Sequence, residues 1–141
     1  MQAGEYYVGD LCYVMTDEEW QECCELFFAD RNGREINDGE FTLKDGRRFA
    51  SYSTKHGDGS YKDQHGNRYS VDAGLIGCIS VYDIRDQSYS IEKLMQLGAI
   101  VDFEAPFEVS NDQGLLKFGP VEIETAGGYD WDEDEDEELE I

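Results

Sequence analysis

The chain has 141 residues, 33 of them acidic and 11 basic, giving a formal net charge of −22 with a hydrophobic content of 40%. That length suits one domain able to bury roughly 68% of its unfolded surface, and 18 aromatic residues supply core area, so a wholly disordered chain is not expected. The charge argues against direct binding to nucleic acid or anionic membrane, since counterion release needs clustered Lys and Arg, and points instead to basic protein surfaces.

The charge is uneven. Residues 1–30 carry eight acids and no Lys or Arg, whereas residues 31–68 carry eight bases and six acids. Residues 125–141 hold nine acids and no base, and the remaining 1–124 still carry 24 acids against 11 bases. No basic start followed by an apolar run opens the sequence, and no stretch of 18 apolar residues occurs. A cytoplasmic protein, in a bacterium or an infected host cell, is the expectation. The four cysteines, Cys12, Cys23, Cys24 and Cys78, form no CxxC pair and read as buried reduced thiols rather than a disulfide frame.

In chain order, "EYYVGDLCYVM" is β-rich, with Tyr6, Val8, Cys12 and Val14 inward and a bend or bulge at Gly9–Asp10. Thr16 with Glu19 makes a capping-box pattern, and Trp20, Cys23 or Cys24, and Phe27 at helical spacing predict an amphipathic helix over 17–28. "DRNGREINDGE" reads as a loop. From residue 40 the period changes to two: Phe41 and Leu43, a turn at Asp45–Gly46, then strands around Phe49–Tyr52, Tyr61 and Tyr69–Val71 predict a β-meander. "LIGCISVY" (75–82) is apolar on both faces, as in a central, doubly covered strand. Ser90 caps a short helix through Leu94 and Leu97, closed by Gly98 as a left-handed terminus. "AIVDFEAPFEVS", the turn "NDQG" and "LLKFGPVEIET" supply the last strands, with Pro106 and Pro120 at ends or edges. The expected fold is a single α+β domain over 1–124, mostly antiparallel strands with two helices, one covering a sheet face, followed by an acidic, flexible tail over 125–141.

Candidate sites follow from chemistry. "GDGSYKDQHGNRYSVDAG" gathers Asp58, Asp63 and His65, with His56 just before it, which are metal-ligand types. The spacing matches neither HxH nor HExxH, and alternate positions after Asp58 are Ser60 and Lys62, so turn geometry is the expectation and no metal or other cofactor is assigned. Asp10 and Asp72 each stand beside glycine-bearing apolar segments and need partners if buried. They read either as turn carboxylates accepting backbone N–H bonds or as an acid/base pair. With Arg47, Arg48, His56 and Arg68 they define a candidate anion or nucleotide site. No catalytic motif is present, and no residue is assigned a catalytic role.

The strongest interaction signal is acidic. The helix offers Asp17, Glu18, Glu22 and Glu25, and the tail offers Asp130, Trp131, Asp132, Glu133, Asp134, Glu135, Asp136, Glu137 and Glu138. Like charges keep such a tail extended in isolation. Against a basic groove its carboxylates can replace phosphates, with Trp131 as an apolar anchor. The segments "YYVGDLCYVM", "DGRRFASYSTKHGDGSYKDQHGNRYSVDAGLIGCISV" and "FGPVEIET" resemble a group of small, acidic, uncharacterised proteins of bacteria and their phages. The resemblance spans most of residues 5–125. It implies cytoplasmic expression and a phage or mobile-element setting, and it assigns no activity and no site. The functional expectation is a non-enzymatic protein that binds a basic protein surface, in its most specific form an inhibitor of a nucleic-acid-binding or defence protein acting as a nucleic-acid mimic. The alternative is a small-ligand domain or hydrolase with its site in the 47–72 loops.

Overall fold

The computed structural model describes residues 1–27, 39–55, 57–86 and 88–125. Phe28, most of the expected loop, His56 and the acidic tail lie outside the described residues.

The α+β expectation holds. Among the described residues there are ten strands and two α-helices: β1 (Gly4–Gly9), α1 (Asp17–Phe27), β2 (Gly39–Thr42), β3 (Arg48–Ser53), β4 (Gly59–Lys62), β5 (Arg68–Val71), β6 (Leu75–Ser80), α2 (Ile91–Leu97), β7 (Ala99–Phe103), β8 (Val109–Asp112), β9 (Leu115–Phe118) and β10 (Val121–Glu124). Single 3-10 turns at Leu11–Tyr13 and Val81–Asp83 follow β1 and β6. Strand β1 therefore ends at Gly9, and Cys12 sits half-buried in the turn rather than on an extended strand.

A five-stranded antiparallel sheet in the order β2-β3-β6-β1-β7 forms the centre. Alternation along its strands divides two cores. Tyr7, Phe49, Leu75 and Ile79 face the helices, meeting Cys23 and Phe27 of α1 and Leu94 of α2. Tyr6, Val8, Ala50, Tyr52, Ile76 and Cys78 face the other way, against Tyr61, Tyr69, Leu116, Phe118 and Ile123 of two small sheets, β4-β5 and β10-β9-β8. Strand β6 is covered on both faces, as its unbroken apolar run requires.

The predicted meander is not continuous. After β3 the chain leaves the large sheet, makes the β4-β5 hairpin over its opposite face, and returns as β6 to pair with β3. Thr54 closes the base of this excursion: its backbone N–H donates to the Gly74 carbonyl at 3.0 Å and its hydroxyl to the Gly57 carbonyl at 2.6 Å. The inserted hairpin is tied to the third sheet by an Asp63–Ile123 bridge and by the Gln64 side chain. That amide donates to Pro120 O at 2.6 Å and accepts from Glu122 N at 2.9 Å.

Local signals are realised where they are short-range. The Thr16 hydroxyl accepts from Glu19 N at 3.2 Å, and the Glu19 carboxylate from Thr16 N at 2.8 Å. In "NDQG", Gln113 and Gly114 both take positive φ, 53° and 98°, as a tight hairpin with right-handed strand twist demands. Ser90 caps α2 through Lys93 N at 3.1 Å. Gly98 corrects its expectation: its φ is −161°, extended rather than left-handed. Glycine is required there because a Cβ would lie 2.4 Å from the Val8 carbonyl oxygen.

Register exposes a feature with no counterpart in the local pattern. Gly39 pairs with Ser51, Ser51 with Gly77, and Gly77 with Gly9, and Gly98 abuts Gly9. A transverse row without large side chains therefore crosses the helix-facing side of the sheet. The Tyr7 ring lies over Gly9 and its hydroxyl reaches toward Gly98, while Leu11 lies on Gly77. Ser51, only 1% exposed, has no hydrogen-bond partner for its hydroxyl among the described residues. An orphaned hydroxyl keeps its desolvation cost, so Ser51→Ala is expected to raise stability by about 1 kcal/mol. A urea midpoint shifted upward at unchanged slope checks this; a lower midpoint would show that the hydroxyl has a use.

Candidate functional site

Helix α1 is held with its carboxylates sorted by role. Cys23 and Phe27 face the sheet, Cys24 its flank, and Trp20 packs edge-on against Phe27. Glu19 turns inward to an ion pair with Arg47. Glu22 is half-buried and accepts from Lys44 N at 2.7 Å, so it acts as a tie to the β2-β3 turn. Asp17, Glu18 and Glu25 remain exposed on the outer face. Of the four acids expected to meet a partner, three are free to do so.

Arg47 is a structural hub. Besides Glu19, its guanidinium binds both oxygens of Asp45, at 3.0 and 2.9 Å from Nε, and donates to the Asp83 carbonyl at 2.9 Å. It thereby joins α1, the β2-β3 turn and the turn after β6. Arg48 pairs with Glu40 at 2.5 Å on the surface.

Asp10 is fully buried, and its carboxylate is met by three backbone amides and the Cys12 thiol rather than by an arginine. One oxygen accepts from Cys12 N at 3.0 Å; the other accepts from Asp72 N and Ala73 N, each at 2.7 Å. The Asp72 side chain is exposed. Asp10 is thus a clamp joining the end of β1 to the β5-β6 connection, and its geometry is that of a turn carboxylate rather than half of an acid/base pair.

Among the described residues, the arginines and the aspartates expected to share an anion site are not brought together. Arg47 and Arg48 stand at the Tyr6–Ser80 end of the sheet, where a cleft of about 830 Å³ opens between Arg47, Arg48, Ser80, Asp83, Pro106 and Phe107. Asp10 and Asp72 stand at the other end of β1, about 13 Å away by strand rise. Arg68 lies on β5 opposite Lys62, and His56 is outside the described residues.

The glycine-rich segment resolves into the β4-β5 hairpin and the turns around it. Asp63 accepts from the backbone N–H groups of His65 (2.8 Å) and Asn67 (3.0 Å), the Asn67 side chain (3.1 Å) and the Tyr69 hydroxyl (2.7 Å). Gly66 takes φ +86° to complete the turn, and the His65 side chain is exposed. Among the described residues no three His, Cys, Asp or Glu side chains gather as a metal site. Burial works to raise the Asp63 pKa, but the bonds from Tyr69, Asn67 and the two amides outweigh it and hold the carboxyl below its usual range. Its contribution to stability is therefore full above about pH 4 and is lost as pH falls through the lower folded-state value. Urea titrations are expected to show Asp63→Asn less stable than the native chain at neutral pH, with a flatter loss on acidification. Parallel acid profiles would contradict that assignment.

Burial also pushes the Cys23 and Cys78 thiols up to about 12, so neither is a nucleophile at neutral pH.

Comparison with protein families, curated proteins and solved structures finds no match to this chain. Among the described residues no helix is long and apolar enough to cross a membrane.

Sequence reading missed a second surface on the helical side. Tyr89, Ile91 and Met95 are 39%, 52% and 57% exposed. Their exposure is a matter of α2 docking through Leu94 alone as a fully buried side chain, and period alone does not reveal which flank of a two-turn helix stays uncovered.

Proposed function

We propose that this protein is a non-enzymatic interaction protein that receives a basic protein surface. The observation that carries the reading is the outer face of α1. Asp17, Glu18 and Glu25 are displayed to solvent on a helix fixed by its capping box and by the Glu19–Arg47 pair, in a stretch, 1–27, without a single Lys or Arg. The net charge of the whole chain extends the same field and favours fast, steered association with a cationic partner. In its most specific form the partner is a nucleic-acid-binding or defence protein whose site these carboxylates occupy in place of phosphates, the acidic segment Asp130–Glu138 adding contacts.

The test is capture from bacterial lysate with the full chain and with a chain ending at Thr125, followed by salt titration of the purified pair. Raising salt between roughly 50 and 300 mM is expected to weaken binding by about tenfold or more, and DNA or RNA should compete. A binding constant indifferent to ionic strength would sink the proposal. Equal binding by both chains would assign recognition to the folded body.

A second reading, a small-anion or nucleotide domain or a hydrolase, has the Arg47–Arg48 cleft in its favour. In that cleft Arg47 is held by Glu19, Asp45 and the Asp83 carbonyl and Arg48 is paired with Glu40, so an incoming anion has to displace Glu40 from Arg48. Thermal stabilisation by nucleotides or phosphate would support it by mass action; a flat panel would remove it.

A further inference from the structure

Among the described residues, three of the four large apolar side chains that stand exposed, Tyr89, Ile91 and Met95, fall within seven residues at α2, the fourth being Tyr82. Ile91 and Met95 are one helical turn apart and flank the same side of the buried Leu94. Tyr89, just ahead of the Ser90 cap, meets Tyr13 edge-to-face, with ring centroids 6.0 Å apart and planes at 81°. Tyr13 ends the 3-10 turn that begins under the Asp10 clamp, and the same clamp fixes the backbone of Asp72. Burial, with Cys12 and the charges of Asp10 and Asp72 close by, pushes the Tyr13 phenol up to about 12. The corner thus combines an apolar ledge, two aromatic rings and an exposed carboxylate on a rigid support.

We propose that this corner docks a segment of a basic protein in which an apolar side chain lies next to a lysine or arginine. The apolar group packs on Ile91 and Met95. The cation lies against the tyrosine rings and the Asp72 carboxylate, an arrangement that ring quadrupole and charge both favour. Methionine and tyrosine suit such a contact, one adaptable and the other a large surface with little rotamer freedom to lose. Charge complementarity selects the occupant: a second copy of this chain would bring another −22 to the same interface, whereas a cationic segment is drawn in. The inference rests on the basic-partner reading above and adds the anchor that charge alone lacks, since exposed carboxylates give attraction and rate more than affinity.

The test uses the full chain and two labelled synthetic peptides of equal charge, one alternating leucine with lysine and one with serine in place of leucine. Fluorescence anisotropy at low salt is expected to show the leucine peptide binding about tenfold tighter or better. Ile91→Ser with Met95→Ser should remove that preference while leaving the serine peptide unaffected, and Asp17→Asn with Glu18→Gln should weaken both peptides alike. Circular dichroism confirms that these surface variants are folded. Equal binding of the two peptides, or an unchanged preference in the Ile91/Met95 variant, overturns the corner while leaving the basic-partner reading standing. Binding of neither peptide overturns both. A native dimer seen by light scattering and abolished by the same variant overturns it in favour of self-contact.

Discussion

Gly77→Ala is expected to destabilise the protein by about 3 kcal/mol or more. Gly77 lies mid-strand in β6 between β3 and β1, and a Cβ there would sit 2.1 Å from the Ala50 carbonyl oxygen and 3.0 Å from Leu11 Cδ1. The first of these is backbone in a central strand held on both sides, so it cannot swing away as a flexible side chain would. Relief requires opening the β3-β6 ladder or expelling Leu11 from the core. Thermal unfolding followed by circular dichroism should show a fall in Tm on the order of 10 °C. Gly39→Ala gives the internal comparison. It ends the same row, but among the described residues nothing lies within 4 Å of its added methyl, and its φ of +132° makes conformational strain the expected cost, about 1–2 kcal/mol. Equal losses at the two positions would mean that the close approach at Gly77 is not what fixes the sheet.

Asp10→Ala is the second large effect, a loss of about 3–5 kcal/mol. The substitution leaves the N–H groups of Cys12, Asp72 and Ala73 without the carboxylate they converge on, at a fully buried position. Asp10→Asn keeps one acceptor oxygen but turns an NH₂ toward N–H donors, and an intermediate loss of about 2 kcal/mol is expected. Hydrogen exchange separates a local from a global result: amides 72 and 73 should lose protection before those of β6. A carboxylate kept for acid/base chemistry would behave differently, leaving the urea midpoint nearly unchanged on conversion to asparagine.

The sequence made short-range devices legible. Thr16 with Glu19, Ser90 with the α2 start, the Asp45–Gly46 and "NDQG" turns, and the doubly apolar β6 each depend on residues a few positions apart, and each is realised. What escaped is what register assembles. Gly9, Gly39, Ser51, Gly77 and Gly98 look unrelated along the chain, and only strand pairing sets them in one row. Gly98 was readable as special but for the wrong reason, since steric contact and left-handed backbone ask for the same residue. Arg47 looked like a free anion-binding cation although Asp45 stands two residues away; only its second carboxylate, Glu19 on α1, required the fold. The same holds at the sites: exposure of Asp17 and Glu18 follows from helical period, whereas the meeting of Tyr13 with Tyr89 requires the fold.

The placement of β1 has a consequence in time. It is an inner strand of the sheet, yet both of its neighbours, β6 (Leu75–Ser80) and β7 (Ala99–Phe103), come from much later in the chain. At a synthesis rate of about 5–20 residues per second, the segment "GEYYVG" waits several seconds on the ribosome for partners, while the β2-β3 and β4-β5 hairpins can already close locally. During that interval a tyrosine-rich strand is open to misplaced pairing. The acids that follow it directly in α1 give unfinished copies like charge next to that strand, and like charge opposes their close approach.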